Sequence, residues 1–488
     1  MDTQFRGHDM REFIARLAGV AAIAAMLGGC AQTRPPMVAE CVLPAYEMVA
    51  SADLLPRKSD AKLGVSDTGE EPFRKLLTDT IGSDAADAVI VGDPGEPSAS
   101  PAPRTTKYIA VLSGGSQNGS FGAGLFKGLD EHGDVPDYRI VTAISTGALQ
   151  STFVFLANRP VPTDRVYADY MKAAQGVGEV GQSNLGDLRL AYALSSEADV
   201  MKVARSEEIS IVRNGSAARF DPLRATLRGL ISQQTLAAVA AEGSANRPDG
   251  KPARKLLVGV ANLDDGKAYA VDMTRFAATP GLGFEAKRDC YVETLLASST
   301  VPPGVPPVTL KLEVIDKLGE GRNLIREPEM FIDGGARYGV FIDSVIDVAK
   351  LDEELQVDVV VNSAIFEKPW TNDKGEPFEK WSIYNVGLRS VDILQNQVYQ
   401  LSVDRVLRWA RDNGNLRMAF ISKNRLQIFQ DDPLTGFVYD GGTTCAAALE
   451  ADKREFSPYE FHPRYMRCMA EYGGERAARD AWNLAAGQ

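Results

Sequence analysis

Short apolar runs that end in small or turn-forming residues set the pattern of the middle of this chain. Tyr108-Ile-Ala-Val-Leu112 reads as a buried strand, followed by a glycine loop and a small-residue helix that reaches Leu129. A second apolar run, Val141 to Ile144, leads through Ser145 into helical sequence. Met330-Phe-Ile332 predicts a strand ending at Asp333, and Leu295 belongs to a helix that stops in the proline-rich turn Pro302 to Pro307. Val357-Asp-Val-Val-Val361 and Arg417-Met-Ala-Phe-Ile421 predict two more strands, with a long amphipathic helix from Val386 to Arg411 between them.

The flanks are less regular. Residues from about 38 to 90 have some helical character, as in Pro72-Phe-Arg-Lys-Leu-Leu77, and Gly92 to Arg104 is a Pro/Ser-rich linker. From roughly 160 to 250 lie helical patterns such as Pro222 to Leu230, where a lid or an acyl-binding wall would be inserted. The tail from about Ser457 is helical and polar, and no internal repeat is present.

Candidate chemistry sits where strand meets helix. Ser145 lies between Ala143 and Gly147, small residues that a sharp, strained strand-to-helix turn requires, because bulk two positions either side would meet the crossing chain. Upstream, Ser113-Gly114-Gly115-Ser116-Gln117-Asn118-Gly119 can turn successive N–H groups to one point at a helix start, which suits an oxyanion or a phosphate. No Gly-Lys-Ser/Thr closes the loop, so a nucleotide-binding reading is weak. Asp333-Gly334-Gly335 offers a carboxylate on a tight turn.

A Ser-Gly-Gly loop, a small-x-Ser-x-Gly elbow, the segment Ala297-Ser298-Ser299-Thr-Val-Pro302 and a closing Asp-Gly-Gly strand together resemble the patatin-like phospholipase family. The resemblance covers roughly residues 107 to 365, and Leu257 to Val271 is similar to that family's strand-turn-strand. It implies an α/β fold, a three-layer α/β/α sandwich with a mostly parallel central sheet, and ester hydrolysis without metal or cofactor. Carried over position by position, Ser145 would be the nucleophile and Asp333 its base. The N–H groups of Gly114, Gly115 and Ser116 would form the oxyanion hole. Only three histidines are present, and His132 in a polar loop and His462 in the tail read as surface and structural residues. The chain departs from the family at Ala143 and Ser116, where glycine is usual, and after Gly335. It also departs at Asn118, where the family has Arg or Lys. The expected activity is that of a phospholipase A or lysophospholipase. The alternatives are a small-ester carboxylesterase and a non-catalytic lipid-binding lipoprotein.

Addressing forms a second pattern. Arg11 and Arg16 precede an apolar run from Leu17 to Leu27 that ends in Gly28-Gly29-Cys30, too short for a membrane span. It resembles a bacterial lipobox, with Cys30 lipidated. With Ala31 following, the resemblance implies a lipid anchor in the outer membrane of a bacterial envelope. The expected organisation is a signal peptide over 1–29, a lipidated tether with N-terminal segment and linker over 30–106, a catalytic domain over 107–430 and a C-terminal helical extension over 431–488. A chain of 488 residues, 44% hydrophobic, supports a large core, and its formal charge of -12 argues against nucleic acid and against electrostatic attraction to anionic lipid. Beside Cys30 stand Cys41, Cys290, Cys445 and Cys468, an even number with three possible connectivities. Cys445 with Cys468 closes the shorter loop, which would leave Cys41 for Cys290; free buried thiols are the alternative.

Overall fold

The computed structural model describes residues 33–48, 72–82, 106–174, 176–206, 210–211, 214–247, 249–315, 323–340, 345, 355–363, 383–413, 416–421, 438–439, 443–479 and 481–482. The expected signal sequence, Cys30 and the Pro/Ser-rich linker lie outside these residues.

Eleven strands make one sheet. In chain order they are β1 (Leu43–Met48), β2 (Lys107–Leu112), β3 (Ile140–Ala143), β4 (Lys255–Asn262), β5 (Ala268–Asp272), β6 (Val308–Leu310), β7 (Leu312–Val314), β8 (Leu324–Ile325), β9 (Glu329–Asp333), β10 (Leu355–Val361) and β11 (Leu416–Phe420). The order across the sheet is β8-β7-β1-β5-β4-β3-β2-β10-β11, and β9 pairs with both β4 and β6. From β4 to β11 every pairing along this order is parallel. Beyond β4 the additions are mainly antiparallel.

The parallel strands are apolar along their length because both faces are covered. Alternate side chains go to opposite cores. Ala110 and Leu112 of β2 join one buried cluster, whereas Ile109 and Val111 join the other. The first cluster takes in helices α2 (Gly119–His132), α3 (Thr146–Phe155), α4 (Asn184–Ala191), α5 (Asp221–Leu230), α6 (Gln233–Glu242) and α7 (Phe284–Ala297). The second takes Phe73 and Leu77 of α1 (Pro72–Gly82) and Val403 and Val406 of α8 (Ile383–Asn413). The result is a sheet between two helical layers, as the resemblance implied.

The N-terminal segment differs from expectation. Its sequence shows some helical character, and Pro72–Gly82 is a helix, yet Leu43–Met48 is a strand inserted between β5 and β7, with Ala45 opposite Val271 and Leu43 opposite Leu312. Five of its six residues are buried, so it lacks the alternation that marks a half-exposed strand. Cys41, just before it, is bridged to Cys290 in α7.

The tail forms two helices, α9 (Cys445–Phe456) and α10 (Pro463–Arg479), joined by the Cys445–Cys468 disulfide. α10 lies directly on α2. A side chain at Gly124 would collide with the Ala470 carbonyl, and one at Gly473 with the Phe121 carbonyl, so glycine permits this backbone approach. Phe121 and Tyr472 add a tilted ring contact at 5.8 Å. Among the described residues no helix is long and apolar enough to cross a membrane.

Candidate active site

β3 ends at the buried Ala143, and α3 begins at Thr146; Ser145 fills the turn between them with φ 57° and ψ −130°. Non-glycine residues adopt that region at a cost of order 1–3 kcal/mol, so the surroundings must hold it. They do so through the Ala-Ser segment after α7. Ser145 N–H donates to Ser298 Oγ at 2.9 Å, Ser298 Oγ donates to the Gly259 carbonyl at 2.6 Å, and Ser299 Oγ donates to the Ser145 carbonyl at 3.1 Å. A Cβ on Gly147 would stand 2.6 Å from the Leu112 oxygen and 2.7 Å from that of Ser113. The elbow therefore demands glycine there, for the steric reason expected from sequence.

Asp333 closes β9 and is held by the same segment, its N–H donating to the Thr300 carbonyl at 2.9 Å. Its carboxylate accepts Gly335 N–H at 2.6 Å and lies near enough to the Ser145 hydroxyl for that group to act on its titration. Burial pushes its pKa up to about 7, against the opposing pull of the Ser145 hydroxyl and Gly335 N–H. Gly334 tolerates no side chain, since a Cβ would lie 2.7 Å from the Gly259 carbonyl. Residues 298–300 thus join the elbow and the acid through three consecutive positions.

The glycine loop lies over Ser145. Gly115 (φ 154°) and Ser116 (φ 49°) carry the turn, which closes with Asn118 N–H on the Gly115 carbonyl at 3.0 Å, and Gly119 starts α2. Of the three assigned oxyanion donors, Gly114 lies against the Tyr399 hydroxyl of α8. Any Cβ on Gly114 would strike that hydroxyl and lie 2.7 Å from Ser145 Cβ. Burial and the nearby Asp333 charge hold the Tyr399 pKa well above its ordinary value, so the group stays an un-ionised O–H.

Sequence reasoning missed Tyr399, and nothing in the α8 pattern distinguishes it from an ordinary core position. It also missed Asn362. The Asn362 N–H donates to Ser113 Oγ (2.8 Å), its Nδ2 to the Ser113 carbonyl (3.0 Å), and its Oδ1 accepts from Gly122 N–H (3.1 Å). A signal existed here: Asn362 follows the buried run of β10, at the carboxyl end of a parallel strand where sites gather. Asn118, the uncharged departure, accepts from the Tyr465 hydroxyl at 2.8 Å. His132 is exposed at the end of α2, and His462 engages Gln117; neither lines the cavity described next.

That cavity, about 700 Å³, has Ser145, Asp333 and the loop residues Gly115 to Asn118 in its wall. The rest is largely apolar, with Phe153, Leu188, Leu223, Leu227 and Leu230 among its lining. Several of these come from the 160–250 stretch where an acyl-binding wall was expected. A polar end with a hydroxyl against a carboxylate, opening into an apolar chamber, suits an ester bearing a hydrocarbon chain.

Comparison with known proteins agrees with the architecture. No curated protein matches this chain. Among solved structures, VipD from Legionella pneumophila is similar at 13% identity and a TM-score of 0.22, over 53% of this chain and 50% of its own. The match thus spans half the length of VipD, and so loose a superposition carries no argument about the site. Residues 110–346 match the family model described as patatin-like phospholipase. That range begins in β2 and takes in the glycine loop, the elbow and Asp333, so the stretch that is similar to the patatin-like phospholipase model holds every part of the candidate site named from sequence.

Proposed function

We propose that this protein is a lipid acyl hydrolase that cleaves carboxylic esters through a Ser145–Asp333 dyad. The observation that carries the reading is a strained, buried serine whose hydroxyl acts on a buried carboxylate with a pKa raised to near neutrality, both held by the 298–300 segment in the wall of one cavity. Asp333 takes the hydroxyl proton as Ser145 Oγ bonds to the ester carbon. The carbonyl oxygen becomes an oxyanion facing the loop N–H groups and the positive start of α2. As the tetrahedral species collapses, the C–O bond to the alcohol breaks and Asp333 returns the proton to the leaving oxygen. Water then attacks the acyl-serine, giving its proton to the same carboxylate; as the C–Oγ bond breaks, Asp333 returns that proton to Ser145 Oγ and the fatty acid departs. A group with a pKa near the working pH serves in both directions.

Phospholipids or lysophospholipids are the proposed substrates, supported by the apolar cavity and the family match. Release of fatty acid from mixed phospholipid micelles, compared with hydrolysis of short soluble esters, separates this reading from a small-ester carboxylesterase. Loss of release in Ser145→Ala is the expected result; release that persists in a folded Ser145→Ala protein would sink the dyad. A second reading, a lipid-binding protein without turnover, draws on Asn118, which brings no positive charge to the loop. Lipid binding with no fatty-acid release from the wild type would favour it.

Anchorage at Cys30 in a bacterial outer membrane is the second part of the proposal. It rests on Leu27-Gly28-Gly29-Cys30, and the two disulfides suit an oxidising compartment outside the cytoplasm. Mass spectrometry of the mature N-terminus would find an acylated Cys30; an unmodified cysteine inside a retained leader would contradict it.

A further inference from the structure

The three side chains of the loop turn, Ser116, Gln117 and Asn118, all bond to one stretch of the C-terminal tail. Ser116 Oγ donates to Glu460 Oε1 at 2.6 Å. Gln117 Oε1 accepts from His462 N–H at 3.1 Å and stands 3.0 Å from His462 Nδ1. Nδ1 also faces the Glu460 carbonyl at 3.0 Å, so with acceptors on both sides it carries the ring proton. Asn118 Oδ1 accepts from the Tyr465 hydroxyl. The stretch is itself fastened on its far side. Glu197 accepts the N–H groups of Tyr459, Glu460 and Phe461 at 3.0, 2.6 and 2.9 Å. Asp452 of α9 accepts those of Arg464 and Tyr465 at the start of α10.

Two of the three gripped residues are the loop positions where this chain departs from the glycine and the cation of its family. The tail lies beyond residue 346, where the family match ends. We propose that Glu460, His462 and Tyr465 are positioning residues for the oxyanion loop, fixing through hydrogen bonds to residues 116–118 the aim of the N–H groups that face Ser145. The inference rests on the Ser145–Asp333 reading. It accounts for Asn118: an amide oxygen accepts from a tyrosine hydroxyl, a bond that an arginine or lysine side chain, carrying donors only, cannot take. It also accounts for Ser116, whose hydroxyl is the donor that glycine lacks.

The test is the rate at which a fluorophosphonate probe labels full-length protein, resolved into a maximal rate and a half-saturating concentration, with Tm followed in parallel. Ser116→Gly, Glu460→Ala, Asn118→Ala and Tyr465→Phe are expected to lower the maximal rate roughly tenfold or more while half-saturation stays within about twofold, since misaim costs rate and not probe binding. In Ser116→Gly with Glu460→Ala, and in Asn118→Ala with Tyr465→Phe, the double variant is expected to be no slower than its slower single, because each pair makes one contact. Glu460→Gln keeps an acceptor for Ser116 and is expected to restore most of the rate. Maximal rates unchanged in the singles, losses that multiply in the doubles, or losses that track Tm while Glu460→Gln fails to rescue would each overturn the proposal. Ser145→Ala separates the two levels. If it abolishes labelling, such results overturn the positioning role alone; if labelling survives it, or the wild type does not label, the dyad falls and the inference with it.

Discussion

The Tyr399 hydroxyl stands so close to Gly114 that a Cβ there would strike it, so a residue on α8 reaches into the loop beside Ser145. Burial and the nearby Asp333 charge keep the hydroxyl protonated, and it lines the same cavity as Ser145 and Asp333. On the proposed mechanism it is a donor near the developing oxyanion. Tyr399→Phe is expected to lower kcat about tenfold or more with little change in KM, in line with loss of one donor at such a site. A rise in kcat would instead mean that the hydroxyl obstructs the Gly114 N–H.

Asp333 sets the pH response. Its raised pKa of about 7 means that the base form is depleted as pH falls below neutrality, so kcat/KM is expected to rise through that region and level off above it. A profile flat from pH 5 to 9 would contradict the assignment.

The same shift has a stability consequence of definite sign. Between the ordinary carboxylate value of 3.8 and about 7 the folded state binds more protons at this site than the unfolded state. Stability is therefore lost as pH rises through that window and stays lowered above it. Asp333→Asn removes the buried charge, and is expected to raise Tm relative to wild type more at pH 8 than at pH 5. An equal shift at both values would show that the carboxylate is not raised.

Ser298 joins the elbow to β4 through two hydrogen bonds of a single hydroxyl. Ser298→Ala leaves Ser145 N–H and the Gly259 carbonyl without that partner in a buried setting, at a cost of about 1–3 kcal/mol. Both Tm and the labelling rate of Ser145 are expected to fall, since the bond that holds the strained turn is gone. Full retention of both would remove the role given to the Ala-Ser segment.

Much of the site was legible because its constraints are local. Gly147 must be small where Leu112 and Ser113 cross, and Ser298, Ser299 and Thr300 must be consecutive to reach both Ser145 and Asp333. Requirements of that kind leave residue types at fixed spacing. The strand Leu43–Met48 was not legible because burial on nearly every residue erases alternation, and its partners lie far along the chain. Tyr399, Glu460 and Tyr465 were missed for a related reason: each sits in an unremarkable helical or loop context and acquires its role only through tertiary contact. The cysteines fall between these cases, since sequence allowed three connectivities and the structure contains Cys41–Cys290 and Cys445–Cys468.

The most direct test of the central claim is to treat the folded protein with a fluorophosphonate, digest it and locate the adduct by mass spectrometry. The account predicts a single adduct on Ser145, formed at least about a hundredfold more slowly in Asp333→Asn, because the serine has then lost its base. An adduct on another serine, or an undiminished rate without the Asp333 carboxylate, would contradict it.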